Sequence, residues 1–307
     1  MSVTSSDNSL PESGESAVCL LLINRIEELP QLAIRSILAT TDARIFIGYC
    51  RIEDLVGVPT DGRITPVLLE HSAQTNLNIS ENSVYADFDS EDFYRLVTLK
   101  WSLLRKIFEM GYTHIVYSDL DVIWLKDVAG ILSRTHSSNN QVECLIQSFT
   151  SDPAEPRLCM GLLSVMNTTK VIEFLNDCES LHIRETNRGN YIGDDDIMTQ
   201  LFRDKGYPSW IRELPQGEFP VGNFLSLYTR KSLFPGLVHP APAIFHANFV
   251  VGLRNKRLLL RVFMSPEQRK KLGTDFGMYW RTLLLAKRVR LTLGMLKKSL
   301  MSRKSTT

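Results

Sequence analysis

The sequence predicts an α/β protein: a mainly parallel sheet flanked by helices, preceded by a short unstructured segment and followed by a basic helical tail. Three observations predict it. Short continuous apolar runs, Ala17 to Ile23 first among them, read as strands covered on both faces. Strand-like and helix-like segments alternate along the chain, which implies parallel strand-helix-strand units. The 307 residues, 44% hydrophobic and 22% charged, suit a globular protein with core enough for one large domain or two small ones.

Residues 1–16 are rich in Ser, Glu, Asp, Asn and Gly and hold too little apolar surface to offset chain entropy, so order is expected from Ala17. After the first strand, Pro30 to Leu38 reads as a helix, Arg44 to Cys50 as a second strand and Ile64 to Leu69 as a third. The polar segment from His71 to Asp87 reads as a long loop, of the length at which lids, binding loops and plain disorder all occur. Ser90 to Met110 reads as one helix. Ser90 is its N-cap, Glu91 and Asp92 suit the positive end of its dipole, and Gly111 suits the left-handed position past its last turn. Its apolar stripe runs through Phe93, Val97, Leu104 and Ile107, and Lys100 falls on that stripe. A lysine there needs a partner: an internal ion pair or a snorkelling stem on one reading, a phosphate or carboxylate contact on the other.

The next stretch, His114-Ile-Val-Tyr-Ser-Asp-Leu-Asp121, is the one on which the functional reading turns. Residues i and i+2 of a strand face the same way, so Asp119 and Asp121 are expected to project together from the strand's carboxyl end. Two carboxylates on one side make a site for a hard cation, Mg²⁺ or Mn²⁺, which completes its shell with water and phosphate oxygens. Such a pair at the end of a buried strand is costly unless something compensates it.

Asp127 to Leu132 then reads as a short helix, Glu143 to Gln147 and Leu158 to Met166 as strands, with Gly161 marking close approach by a backbone or a ligand. Asn167 is expected to cap a helix running to about Leu181. In Gly193-Asp-Asp-Asp-Ile, three acids open a helix. An N-cap with first-turn charges explains two of them, and a bound cation or polyol is the sharper reading of all three. Pro215 to Pro242 reads as irregular structure over a site. Ala243 onward reads as a strand that delivers His246 and Asn248 to one face, ahead of a basic cluster containing Arg254, Lys256 and Arg257.

Five cysteines, odd in number and without a C-x-x-C pair, read as reduced core residues of a reducing compartment, and no segment reads as a signal peptide or a membrane span. The expected location is the cytoplasm. The net charge of +1 hides a basic tail: no acid follows Asp275, while eight cations do. Residues 278–304 mix those cations with Trp280 and several leucines, which suits peripheral contact with an anionic membrane surface, although Lys287 falls on the apolar face. A packed helix with a frayed basic end is the plainer alternative. No base-reading module accompanies the charge, so nucleic acid is not expected as a partner.

Three stretches taken together, Thr98-Leu-Lys-Trp-Ser-Leu-Leu, Gly111 through Asp127, and His246-Ala-Asn-Phe-Val-Val-Gly-Leu-Arg-Asn-Lys256, resemble the nucleotide-diphospho-sugar transferase family that includes glycosyltransferase family 77. The resemblance implies a GT-A fold, with a Rossmann-like, mainly parallel sheet over residues 17–265 and the basic tail at 266–307. It implies a nucleotide-diphospho-sugar donor, probed most simply as a UDP-sugar, held through Mn²⁺ or Mg²⁺, and a glycan, glycolipid or protein acceptor. Carried over by position, Asp119, Asp121 and His246 are the expected metal ligands, and Lys100, Asp119, Arg254 and Lys256 the expected donor contacts. Asp195 and Asp196 stand where the family shows an Asp-Gln pair, with Asp195 the expected sugar-contacting acid. The family also implies retention of anomeric configuration by same-face attack.

Two other readings compete. Asp119-Leu-Asp121 with the later acid run also resembles a haloacid-dehalogenase-type phosphatase, in which Asp119 would be the nucleophile, but that family starts with its acid strand and this chain does not. A non-catalytic binding module on a transferase-like fold is the other; the intact set of metal ligands argues against it.

Overall fold

The structure, a computed structural model, describes residues 16–22, 29–69, 90–149, 157–206, 208–221, 242–248, 256–257 and 260. Its centre is β1 (Ser16–Leu21), flanked by β2 (Arg44–Tyr49) and β4 (His114–Ser118), both parallel to it. Beyond β2 lies β3 (Ile64–Leu68), and beyond β4 lie β7 (Leu158–Met166), β6 (Cys144–Ser148) and β8 (Ile211–Glu213), giving the order β3-β2-β1-β4-β7-β6-β8. Only β7 runs against its neighbours. The expected mixed, mainly parallel sheet is therefore present. A second, two-stranded sheet pairs β5 (Val122–Trp124) with β9 (Ile244–His246) in antiparallel fashion.

Alternation along β1 explains why its apolar run is continuous. Ala17, Cys19 and Leu21 enter the core on one face, packed with Trp101, Leu104, Leu175 and Phe202; Val18, Leu20 and Leu22 enter the other, packed with Ile34, Ile37, Trp124 and Leu132. The first face is covered by α3 (Leu99–Glu109), α5 (Thr169–Asn187) and α6 (Asp194–Lys205), the second by α1 (Leu29–Leu38) and α4 (Val128–Ser138). Ser36 on α1 ties the small sheet down: its Oγ accepts from Trp124 N at 3.0 Å while donating to Ala33 O at 2.7 Å.

Several local expectations need correction. The helix expected over 90–110 is two, α2 (Glu91–Val97) and α3, interrupted at Thr98, whose hydroxyl donates to Tyr94 O. A threonine bonded back to the preceding turn bends a helix, which is enough to end one here and start the next. Ser90 caps α2 as expected, accepting from Phe93 N, and Gly111 sits at φ 97° past α3. The cap of α5 is Thr168, which accepts from Val171 N, while Asn167 donates its amide to Tyr112 O. Asp119 and Asp121 lie past the end of β4 and do not share a strand: they occupy the turn between β4 and β5, closed by Val122 N donating to Asp119 O at 3.2 Å. Residues 71–87, most of 215–242 and the tail from 266 onward lie outside the described residues.

Candidate metal and donor site

The carboxyl ends of β4 and β6 and the start of the antiparallel β7 meet at one edge of the sheet, the edge at which open α/β sheets present their ligand sites. Asp119 follows β4 directly. Its backbone N donates to Gly161 O on β7 at 2.8 Å, and Ala247 N donates to Asp121 O at 2.9 Å just past β9. Both acids are thus pinned through the main chain by segments distant in sequence. In the register of the small sheet His246 lies opposite Val122, one residue beyond Asp121, which places its imidazole between the turn and β7.

One ligand atom from each of Asp119, Asp121 and His246 lies within 4.8 Å of the others. The nearest approach is His246 Nε2 to Asp121 Oδ1, 3.2 Å. Two carboxylate oxygens and an imidazole nitrogen form a donor set that suits Mn²⁺ or Mg²⁺, with room for water and phosphate oxygens. Burial resists ionisation of Asp121, but the Lys256 ammonium outweighs it and holds the carboxyl well below the ordinary carboxylate range. Lys256 Nζ sits 2.6 Å from Asp121 Oδ2. The residues present therefore fit a divalent cation: a negative oxygen pair and a nitrogen converge on one point.

Behind Asp119 stands Lys100, 3% exposed at its side chain. Its Nζ lies 3.4 Å from Asp119 Oδ1, is ion-paired with Asp194, and sits 4.4 Å from the centre of the Tyr117 ring. Burial opposes the charge on this lysine, yet Asp119 and Asp194 push its pKa well above the ordinary value. Tyr117 OH donates to the same Asp119 oxygen at 2.8 Å. Burial, together with the Asp119 charge, pushes the phenol's pKa well up, so the hydroxyl remains a donor.

The three acids at the start of α6 separate into distinct environments. Asp194 pairs with Lys100, Asp195 accepts from Met160 N on β7, and Asp196 is exposed. Desolvation, followed by the neighbouring Asp194, pushes the Asp195 carboxyl well up, so that it sits at the sheet edge with a reduced tendency to ionise. Sequence reasoning named Asp195 and Asp196 and passed over Asp194. The signal that could have found it was Lys100, a buried cation at the second position of α3 whose three N–H donors call for more than one acceptor. Arg254 lies outside the described residues. Gln147, also unforeseen, meets His246 from β6: the His246 Nδ1 and Gln147 Oε1 are 3.0 Å apart. Gly161 is where the close approach was expected, and the approaching group is the His246 ring; a Cβ at 161 would lie 1.9 Å from His246 Cε1.

The family model for the nucleotide-diphospho-sugar transferase matches residues 62–260 of the chain. No curated protein matches it. Among solved structures, the chain is similar to the glycosyltransferase GlyE of Streptococcus pneumoniae TIGR4, with a TM-score of 0.49 and 15% identity over 91% of this chain and 64% of that one. Mouse xyloside xylosyltransferase 1, in its apo form, gives a TM-score of 0.45 and 10% identity over 77% of this chain and 98% of that one. A glycosyltransferase involved in the glycosylation of the major capsid of PBCV-1 gives 0.48 and 8%, over 81% of this chain and 99% of that one. The chain thus spans 64% of the length of GlyE and nearly all of the other two.

Proposed function

We propose, from the premise that this chain belongs to the nucleotide-diphospho-sugar transferase family, that it is a divalent-metal-dependent glycosyltransferase. It moves a sugar from a nucleotide-diphospho-sugar, a UDP-sugar in the simplest case, to an acceptor hydroxyl with retention of configuration. The single observation that supports this reading best is the convergence of Asp119, Asp121 and His246 at the sheet's carboxyl edge. These three residues would hold Mn²⁺ or Mg²⁺, which when bound supplies positive charge to the diphosphate of the donor.

The chain's own groups supply the rest of the electrostatics. As the bond between the anomeric carbon and the phosphate oxygen breaks, negative charge grows on the departing diphosphate, and the Lys256 ammonium at the rim of the site stabilises it. Arg254, in the same basic cluster, is a second candidate for that role. The acceptor oxygen forms the new bond on the same face of the sugar, and its proton passes to an oxygen of the leaving diphosphate. Lys100 and Tyr117 hold the Asp119 carboxylate fixed in direction through their hydrogen bonds to Oδ1 while this happens. Asp195, held by the Met160 amide, would accept a hydrogen bond from a sugar hydroxyl. Free cysteines, four of the five buried, agree with a reducing compartment on the cytoplasmic side. Among the described residues no helix is long and apolar enough to cross a membrane; contact of residues 278–304 with a membrane surface is part of the proposal through its charge pattern alone.

Calorimetric titration of nucleoside diphosphates and nucleotide sugars into the purified protein, with Mn²⁺ and again with chelator, tests the reading. Metal-dependent binding of one nucleotide, lost in Asp121→Ala, is expected. Failure of every nucleotide to bind under either condition would overturn it and direct attention to phosphomonoester hydrolysis.

A further inference from the structure

We infer that Gln147 is a positioning residue for the cation site: it fixes the protonation pattern of His246 so that Nε2 presents its lone pair to the metal. This inference rests on the metal-site reading above and adds a residue that the sequence patterns did not mark.

Gln147 is fully buried on β6, and His246 is 2% exposed on β9. The Gln147 Nε2 lies 3.2 Å from Phe219 O and 3.4 Å from Pro220 O. Carbonyl oxygens only accept, so the atom facing them is the amide nitrogen, and the atom facing the imidazole is the amide oxygen. Turning the amide over would set its oxygen against two carbonyls in a buried site, which costs the desolvation of all three. With Oε1 at 3.0 Å from His246 Nδ1, that nitrogen must be the donor. A neutral imidazole carries one proton, so Nε2 is left as the acceptor.

Nε2 is the nitrogen that faces Asp121 Oδ1 at 3.2 Å. A lone pair opposite a carboxylate oxygen is repulsive unless a cation sits with both. Cys159 Sγ also lies near Nδ1, at 3.8 Å, and it already accepts from Asn248 Nδ2 at 3.5 Å, so it competes weakly with the shorter bond to Gln147. Gly161 closes the arrangement. Its absent side chain leaves the only space the ring can occupy between Gln147 and Asp121, since a Cβ there would fall 2.7 Å from Nδ1 and 2.6 Å from Nε2. Ring position is thus set by Gly161 and ring chemistry by Gln147. Outer partners that orient a metal-bound histidine contribute about 10- to 100-fold in metal affinity.

Two measurements decide it. Mn²⁺ titration of the full chain should show Gln147→Met binding about 10- to 100-fold more weakly than wild type. Gln147→Glu should bind within a few-fold of wild type, because a carboxyl group offers an acceptor to Nδ1 and, when protonated, a donor to the Phe219 and Pro220 carbonyls. Equal affinity of Gln147→Met and wild type would overturn the inference, and so would an equal loss in both variants, which would mark a merely structural role. Should the variants fold poorly, ¹⁵N NMR of histidine-labelled wild type with Mg²⁺ still decides the point: a proton on His246 Nδ1 is expected, and a proton on Nε2 overturns it. Absence of Mn²⁺ binding by wild type would instead overturn the metal reading itself, an outcome distinct from the others.

Discussion

Lys256 occupies the position a second cation would contest. Its ammonium rests 2.6 Å from Asp121 Oδ2, on a carboxylate that would also serve a divalent ion. Two positive charges sharing one carboxylate repel each other, and in a partly exposed site that repulsion is on the order of a kcal/mol. Lys256→Met should therefore bind Mn²⁺ more tightly, by about tenfold, while binding the nucleoside diphosphate more weakly. Separate titrations with metal alone and with nucleotide at saturating metal read the two effects; weaker metal binding in the variant would show that the lysine supports the cation site and does not compete with it. The ionisable members of the site were legible in the sequence because each interrupts an apolar run: Asp119 and Asp121 after β4, His246 in β9, Lys100 on a helix stripe. Asp194 was hidden in a run of three identical residues, and only the direction of each side chain at the start of α6 separates the one that meets Lys100 from the one that meets Met160. Gln147 was hidden for the opposite reason. A neutral amide at the end of a strand looks like an ordinary boundary until its partners are known.

At the level of elements, four segments are joined on the side of the sheet away from the site by a proton-ordered chain of hydrogen bonds. His136 Nδ1, on α4, donates to Val142 O at 2.8 Å, so its Nε2 accepts from Ser164 Oγ on β7 at 2.9 Å. The Ser164 oxygen then accepts from His114 Nε2 on β4 at 2.7 Å, and His114 Nδ1 accepts from Ser16 Oγ on β1 at 2.7 Å. In this arrangement each ring is neutral, with one nitrogen donating and the other accepting. Burial, with His136 alongside, pulls the His114 pKa down from 6.5 to about 3, and burial lowers that of His136 as well. The unfolded chain binds these protons more readily, so stability is complete above about pH 6.5, falls as the pH is lowered towards 3, and levels off below that. For His114 alone the loss approaches about 5 kcal/mol as an upper bound. Urea denaturation at pH 7.5 and pH 5 should show the decline, and Ser164→Ala, which breaks the chain, should flatten it; an equal midpoint at both pH values in wild type would contradict the assignment. The strands of this network were legible from their apolar runs. The interruption at Thr98 and the turn between Asp119 and Asp121 were not, because both depend on hydrogen bonds to neighbours rather than on the period of hydrophobicity. The acids still converge, by a route other than strand alternation.

Across the whole molecule, the fold was the most legible feature because it is specified redundantly. The central parallel strands β1, β2 and β4 are apolar on both faces, the covering helices are apolar on one, and the antiparallel insertion of β7 changes neither pattern. Direction of a strand leaves no mark on its composition, which is why the sequence showed the layers without showing that one strand runs the other way. The same redundancy sets the core apart from the cation site: both buried clusters are built from apolar side chains packed on one another, and the link to the site is the Tyr117 hydroxyl, which donates to Asp119. Chelation should accordingly leave the protein folded. A thermal melt in EDTA is expected to remain a single cooperative transition, with added Mn²⁺ raising the midpoint only by mass action, about 3 kcal/mol at a hundredfold excess over Kd. Loss of cooperative unfolding in EDTA would mean that the metal is structural.

The lysines give that independence a temporal meaning. Lys100 and Lys256 already neutralise Asp119, Asp194 and Asp121 in part, so the acids are not left facing one another as the chain collapses around them. A newly made molecule can complete its sheet and wait. Under the proposed metal dependence, occupancy by the ion follows supply rather than synthesis, and a molecule made in the ion's absence would stay intact and idle until a change in ion concentration put it to work without a new round of translation.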